Sequence, residues 1–389
     1  MNQSKWFVLI TILILISVWL QACSFSVQTL PASPTSQTLS TSTPSAATET
    51  AVTPTFTLVP TEVAPIPTLI PIRADTVSKL RIFENFELKD IVRGLAFAPK
   101  DIVLAAAGGN TEDFAIHLWD VVSGQSLGEL DGHKGIIWSL AFSPNGQLLA
   151  SVSSDHTAKV WDWRKKSLLQ SLDFPDQVIS VSFSPDGQSL AIGGVDMVQN
   201  QIQNATIWTY AVDSWQPLLK FPEYLNITAL AFSPDGKWLI GGGTSRNVQV
   251  WRTSGGPAPR TLNHAHQVSK AAISPDSSTV ATGTCATTVN EQCTEGSVWL
   301  WDLPTGRLRG KLPGFPDVVD NVSFSNDGSL LAASRDGTLR FYGAPTYQTP
   351  FEIPSPGGIS ALALSPDGSL VATGSPTGQV QIWKIVEQP

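Results

Sequence analysis

Charge is scarce in this chain, and cysteine scarcer still. Only 14% of the 389 residues are charged, the net charge is −8, and no Lys/Arg-rich run longer than the three residues 164–166 occurs. A nucleic-acid surface needs clustered basic residues, so the composition argues against that partner. The sequence has no Gly-x-Ser-x-Gly elbow, no Gly-rich phosphate loop, no His-Glu-x-x-His and no EF-hand loop. The chemistries that those motifs carry therefore have no vehicle here, and neither cofactor nor metal is expected. The apolar stretch at 6–20 is 15 residues long, short of the roughly 20 that a spanning helix needs. Cysteine appears three times, at Cys23, Cys285 and Cys293. What the chain does have is tryptophan, 13 of them. Few charges and many large aromatics suit an all-β interior buried on both faces of its sheets.

Self-similarity organises the rest. The stretch 132–162 reads GHKGIIWSLAFSPNGQLLASVSSDHTAKVWD: strand, tight turn, strand, turn, and a third strand ending in Trp-Asp. Aligning copies on the first turn gives anchors at Phe97, Phe142, Phe183, Phe232, Ile273, Phe324 and Leu364, with gaps of 45, 41, 49, 41, 51 and 40 residues. The closing aromatics are Trp119, Trp161, Trp208, Trp251, Trp301, Tyr342 and Trp383. A period in the low forties is a repeat signature. The first turn is Pro-Asp-Gly at 185–187, 234–236 and 366–368, and Pro-Asn-Gly at 144–146. Asp-Gly and Asn-Gly tolerate positive φ and close two-strand hairpins.

These motifs, with Gly-His at 132–133 and Trp-Asp at 161–162, resemble the WD-repeat (WD40) β-propeller family over roughly 77–389. The resemblance implies an all-β, seven-bladed β-propeller of four-stranded antiparallel blades, occupying 77–389. It also implies closure by an N-terminal strand, 80–86, completing the last blade and removing free sheet edges. His133, Ser151, Asp155 and Trp161 match that family's structural tetrad in type and spacing, a hydrogen-bonded chain ending at the indole N–H. A Ser-His-Asp set invites a hydrolase reading, but the Trp completes the tetrad instead. The fifth copy offers His264, Thr282 and Trp301, with Glu295 near the Asp slot. The sixth keeps Asp336 and has Tyr342 for Trp.

Ahead of the repeats, 1–22 reads as a signal peptide with Lys5 as a minimal charged region. Its end, Leu20-Gln21-Ala22-Cys23, resembles a bacterial lipobox. That resemblance implies lipidation of Cys23 and a protein tethered to the cell membrane on its extracytoplasmic side. Residues 23–76 form a Ser/Thr/Pro-rich linker, with 24 Pro, Ser or Thr among the 41 residues of 31–71. Such a segment has no apolar periodicity to bury and is expected to be disordered.

The copies differ most between their second and third strands. The anchor-to-aromatic interval is 18 or 19 residues in four copies but 22, 25 and 28 in the first, third and fifth. The three insertions carry Asn110, Thr111, Glu112 and Asp113; Asp196, Gln199, Asn200, Gln201 and Gln203; and Asn290, Glu291, Gln292 and Glu295. In a propeller they share one face, so they form a candidate polar binding rim. With Cys23 assigned to lipid, Cys285 and Cys293 remain in the longest insertion, and outside the cytoplasm a disulfide is the natural pairing. A metal site made from this pair with His264 or His266 is a poor match to zinc spacing. Four residues before each anchor lie Arg93, Trp138, Ile179, Thr228, Ser269, Asp320 and Ser360. If these line the channel mouth, the ring is mixed and lacks the carboxylate cluster of a hydrolase or lyase. The function expected is a monomeric, non-catalytic scaffold binding a protein partner of the cell envelope through the rim. The alternative is a carbohydrate or small ligand at the rim or channel.

Overall fold

The computed structural model describes residues 69–386 apart from 74, 111–112, 199–200, 224–226, 244–245, 257, 290–291, 349 and 356. Residues 1–68, with the expected signal peptide, Cys23 and most of the linker, lie outside the described residues.

The chain is all-β apart from one 3-10 turn at Val77–Lys79. Each repeat unit is an antiparallel meander. The first runs through Val92–Phe97, Val103–Gly108, Ile116–Asp120 and Ser126–Leu130, and the second through Ile137–Phe142, Leu148–Ser153, Thr157–Asp162 and Ser167–Asp173. The innermost strands neighbour one another in a ring, and Ala361–Leu364 of the last sheet returns to Val92–Phe97 of the first. That architecture is a β-propeller.

Uniform four-stranded blades, seven in all, were the expectation, and this needs correction. Six sheets have four strands, but the sheet that starts at Val178–Phe183 has five. There the insertion folds back on itself, so that Asp196–Val198 pairs with the long strand Gln201–Ala211, Val198 opposite Gln201. The fifth sheet also turns its insertion into strand: Thr279–Val289 pairs with Gln292–Asp302 along its length. Both insertions are hairpins rather than loops, because their backbone groups are satisfied by each other.

The Ser-Pro-Asp-Gly turns show why that sequence recurs. Ser184 Oγ donates to Asp186 Oδ1 (2.5 Å) and accepts the N–H of Ser189 (2.8 Å), while Asp186 Oδ1 accepts the N–H of Gln188 (3.0 Å). Ser143, Ser233, Ser274, Ser325 and Ser365 repeat this pattern toward Asn145, Asp235, Asp276, Asp327 and Asp367. The Ser184 hydroxyl, followed by the Gln188 N–H, holds the Asp186 carboxyl below the usual carboxylate range. The glycine of the turn sits at φ +72° in Gly146, Gly187, Gly236 and Gly368. In the fifth repeat Ser277 takes this place at φ +57°, a conformation that costs a residue with a Cβ free energy.

The core lies between neighbouring sheets. Ala105, Ile116 and Leu118 of the first pack against Ile137, Leu149 and Trp161 of the second. Leu80–Glu87 pairs antiparallel with Gln379–Ile385 and becomes the outermost strand of the last sheet. Packing begins before residue 77, where the linker was expected to end. Ile72 is 1% exposed, its N–H bonds the Gly368 carbonyl at 2.8 Å, and it shares a cluster with Leu80, Trp383 and Ile385. Two isoleucines and a leucine in 69–73 give this short segment apolar surface to bury.

Candidate functional site

In the second sheet the four residues singled out by spacing meet. His133 Nδ1 lies 2.8 Å from Asp155 Oδ2 and His133 Nε2 lies 2.8 Å from Ser151 Oγ. Trp161 Nε1 donates to the same Ser151 oxygen at 2.9 Å. Asp155 also accepts from the Lys134 N–H (2.8 Å) and from Thr157 Oγ1 (2.7 Å). Burial alone would push the Asp155 carboxyl up. The hydrogen bonds from His133, Thr157 and Lys134 outweigh it and hold the group well below the ordinary carboxylate range. Asp, His and Ser thus sit at the distances of a hydrolytic triad, yet Ser151 is 0% exposed and its oxygen is engaged by the indole. A nucleophile needs room for an attacking trajectory, and this one has none. The set fastens the blade.

The fifth sheet solves the same problem differently. His264 Nε2 is 2.8 Å from Thr282 Oγ1 and 3.2 Å from Trp301 Nε1. Glu295, the nearest acid by sequence, does not complete it; Thr287 Oγ1 donates to Glu295 Oε2 at 3.3 Å instead. The Leu262 carbonyl takes the vacant role, 3.0 Å from His264 Nδ1. A carbonyl only accepts, so Nδ1 carries the proton and Nε2 receives the indole N–H. Burial pulls this imidazole down to about 4, and it sits between Trp299, tilted against it, and Trp301, edge-on, at centroid distances of 5.0 Å each. His264 is committed to this core rather than to a metal. In the last sheet the pair is reduced to Trp383 Nε1 donating to Thr373 Oγ1 at 3.0 Å.

The candidate rim is partly placed. Thr111, Glu112, Gln199, Asn200, Asn290 and Glu291 lie outside the described residues. Asn110 is exposed, and its N–H bonds Asp90 Oδ2 at 2.6 Å. Asp113 faces inward along its own blade, 3.0 Å from His117 Nε2. Asp196, Gln201 and Gln203 lie on the strands of the extra hairpin, and Gln292 and Glu295 on the long third strand of the fifth sheet. Cys285 and Cys293 are joined as a disulfide across that hairpin, with Cα atoms 5.8 Å apart. Beside it is a cavity of about 730 Å³ bordered by Arg246, His266, Gln267, Gln292, Asp317 and Arg335.

Arg93, Trp138, Ile179, Thr228, Ser269, Asp320 and Ser360 all border one cavity of about 500 Å³ at the centre of the ring. The cause is local. In six innermost strands the pairing register skips one residue, between Val92 and Gly94, Ile137 and Ser139, Val178 and Ser180, Ile227 and Ala229, Val268 and Lys270, and Val319 and Asn321. The skipped residue is the one at the channel, and a bulge of this kind re-aims its side chain. Ser360 stands just ahead of its strand, donating to the Val92 carbonyl at 2.5 Å and so joining the last sheet to the first. Thr228 Oγ1 likewise donates to the Val268 carbonyl at 3.0 Å. Not foreseen at this cavity were, among others, Lys270, Asn321 and Arg335. The first two directly follow ring positions, so the repeat spacing held a signal for them. Arg335 lies in a turn and had none. The channel and the cavity beside the disulfide share Gln267 and Arg335, so both open on one face.

The ring of sheets and this central cavity define a β-propeller with a channel mouth of mixed polar and apolar lining. Residues 124–162, 215–252, 306–343 and 349–384 match the family profile "WD domain, G-beta repeat", and these repeats support placing the chain in the WD40 β-propeller family. Among curated proteins it is similar to the Periodic tryptophan protein 2 homolog of Neurospora crassa, 29% identical over 177 residues, covering 40% of this chain and 19% of that protein. It is 26% identical over 251 residues to the Protein LST8 homolog of Drosophila melanogaster, covering 61% of this chain and 75% of that one. It is 30% identical over 166 residues to Small ribosomal subunit protein RACK1y of Oryza sativa subsp. japonica, covering 41% and 47%. The chain therefore spans about a fifth of the first of these relatives.

Proposed function

We propose that this protein is a non-catalytic platform for a protein partner, which docks on the face that carries the hairpin insertions and the channel mouth. One observation carries the reading. The long fifth-sheet hairpin, closed by Cys285–Cys293, borders a polar cavity continuous through Gln267 and Arg335 with the channel. A closed ring holds such a face rigid, and the disulfide restrains the hairpin, which lowers the ordering cost of binding. Its polar lining suits a reversible, wet interface. Shortening 108–113, 196–205 and 284–296 to the second repeat's length should leave the propeller folded, because the two hairpins extend beyond the shared four-strand pattern and pair chiefly with themselves. Capture of the partner from the membrane fraction should fall, most in the triple variant. A folded triple variant that recovers the same partner in the same yield refutes the reading.

The second part of the proposal is a lipid tether at Cys23, supported by the Leu-Gln-Ala-Cys sequence after the apolar run. It would place the propeller outside the cytoplasm at the end of a Pro/Thr-rich stalk. Mass spectrometry of the mature protein should find a diacylated Cys23 at its N-terminus. An N-terminal peptide still carrying Met1 counts against it.

A further inference from the structure

The central cavity holds donors that the fold itself leaves unused. Among the described residues, three buried side-chain polar atoms make no hydrogen bond to protein: Arg93 Nε, Trp138 Nε1 and Asn321 Nδ2. All three residues border this one cavity. Asn321 is 7% exposed, and an orphaned buried donor typically costs about 1–3 kcal/mol. Chance would scatter such atoms around the molecule; here they converge from the first, second and sixth sheets.

The charges at the same place point one way. Arg93, Lys270 and Arg335 face a single carboxylate among the lining residues, Asp320. Asp320 is already neutralised by Arg335, whose Nε and Nη2 lie 2.8 and 3.2 Å from its two oxygens. Arg93 stacks over the Trp138 ring at 4.5 Å, which fixes its plane but leaves Nε without an acceptor. Lys270 keeps some surface open to the channel. Enclosure by the ring nevertheless pulls its ammonium below the ordinary lysine value, while Asp320 acts in the opposite sense. The Thr228 and Ser360 hydroxyls are spent on neighbouring carbonyls. What remains is a set of N–H donors beside the Arg93 and Lys270 cations, on which Asp90 and Asp320 respectively act.

We propose that the central channel is a carboxylate-binding site, in which the Arg93, Trp138 and Asn321 donors and the Lys270 ammonium receive the oxygens of a small organic acid or of a partner's acidic side chain. A cavity of about 500 Å³ lies within the usual range for small ligands. Bidentate and charge-assisted N–H donors are the groups that recognise a planar carboxylate. This site adjoins the hairpin rim through Gln267 and Arg335, but none of its proposed donors lies in a hairpin.

Isothermal titration of the full chain with succinate, with a short Asp/Glu peptide, and with methyl glucoside as neutral control tests it. Succinate or the peptide should bind and the sugar should not. Succinate alone identifies a free acid as the ligand, the peptide alone an acidic side chain; either supports the site. The double variant Arg93→Met/Lys270→Met should weaken the binding at least ~10-fold. Asp320→Asn should tighten it, because one like charge is removed. Trp138→Phe keeps the ring and removes only the N–H. It should weaken binding about threefold or more, and it serves if the double variant does not fold. The chain with shortened hairpins should bind the probe unchanged, so a failed rim reading is distinguishable from a failed channel. Absence of binding by either carboxylate at ~10 mM, a weak-affinity threshold, overturns the proposal. So does binding unaltered in a folded variant, or equal binding of the sugar.

Discussion

Trp161→Ala should lower the stability of the propeller by about 3–5 kcal/mol, the range for truncating a large buried aromatic. For a domain of this size that corresponds to a fall in Tm of about 5–8 °C. Trp161 is 2% exposed and packs in the cluster with Leu118, Ile137 and Leu149 at the first sheet–sheet interface. The cost has two sources. Removing the indole opens a cavity in a close-packed interior, and it takes away one of the hydrogen bonds to Ser151 Oγ. Trp161→Phe separates them, since it keeps much of the volume and loses the N–H. Ser151 would still be held by His133 Nε2 at 2.8 Å, so this variant should cost only about 1–3 kcal/mol. Denaturant unfolding at constant m-value measures both. A midpoint that does not move in Trp161→Ala means that the chain from Asp155 to Trp161 does not fasten the blade.

Acid should weaken the protein well before its carboxylates titrate. His264 ordinarily has a value near 6.5, and in the folded chain burial pulls it down to about 4. Between those values the unfolded chain takes up a proton that the native core refuses, so stability rises with pH across this window and is lost as pH falls from 6.5 to 4. A depression of this size corresponds to about 3 kcal/mol when the window has been crossed. The main physical reason is burial, and the Lys311 ammonium nearby adds repulsion. A protonated Nε2 would also face the Trp301 N–H with a proton of its own. Asp155 acts later and with the same sign. Its folded value is depressed, so its contribution is complete above the unfolded carboxylate value of 3.8 and disappears as pH falls further. Ring-proton NMR should show His264 neutral down to near pH 4, and unfolding experiments should show the first loss of stability between pH 6.5 and 4. A His264 midpoint near 6.5 would contradict the reading.

The sequence carried the repeat, because turns and closing aromatics are side-chain signals. Ser-Pro-Asp-Gly names its own hydrogen bonds, and a positive-φ glycine must stand at its end; Trp every forty-odd residues marks a third strand. The same spacing groups His133 with Ser151, Asp155 and Trp161, and groups Arg93, Trp138 and Asp320 at one level of the ring. Other features rest on backbone, which any residue supplies equally. The Leu262 carbonyl completes the fifth-sheet histidine where a search for an acid finds Glu295 instead. The polar insertions at 196–205 and 284–296 read as loops, yet they pair as hairpins because two strands that already run side by side extend their ladder at little cost, and that makes one sheet five-stranded. Ile72 belongs to the propeller, although the composition around it reads as linker, because Gly368 offers a carbonyl and the last sheet an apolar groove. Most of all, the bulge in six of the seven inner strands is invisible in the residue pattern. Only the closed ring turns one skipped residue per strand into a shared cavity, and only there do Arg93, Trp138 and Asn321 become donors without acceptors.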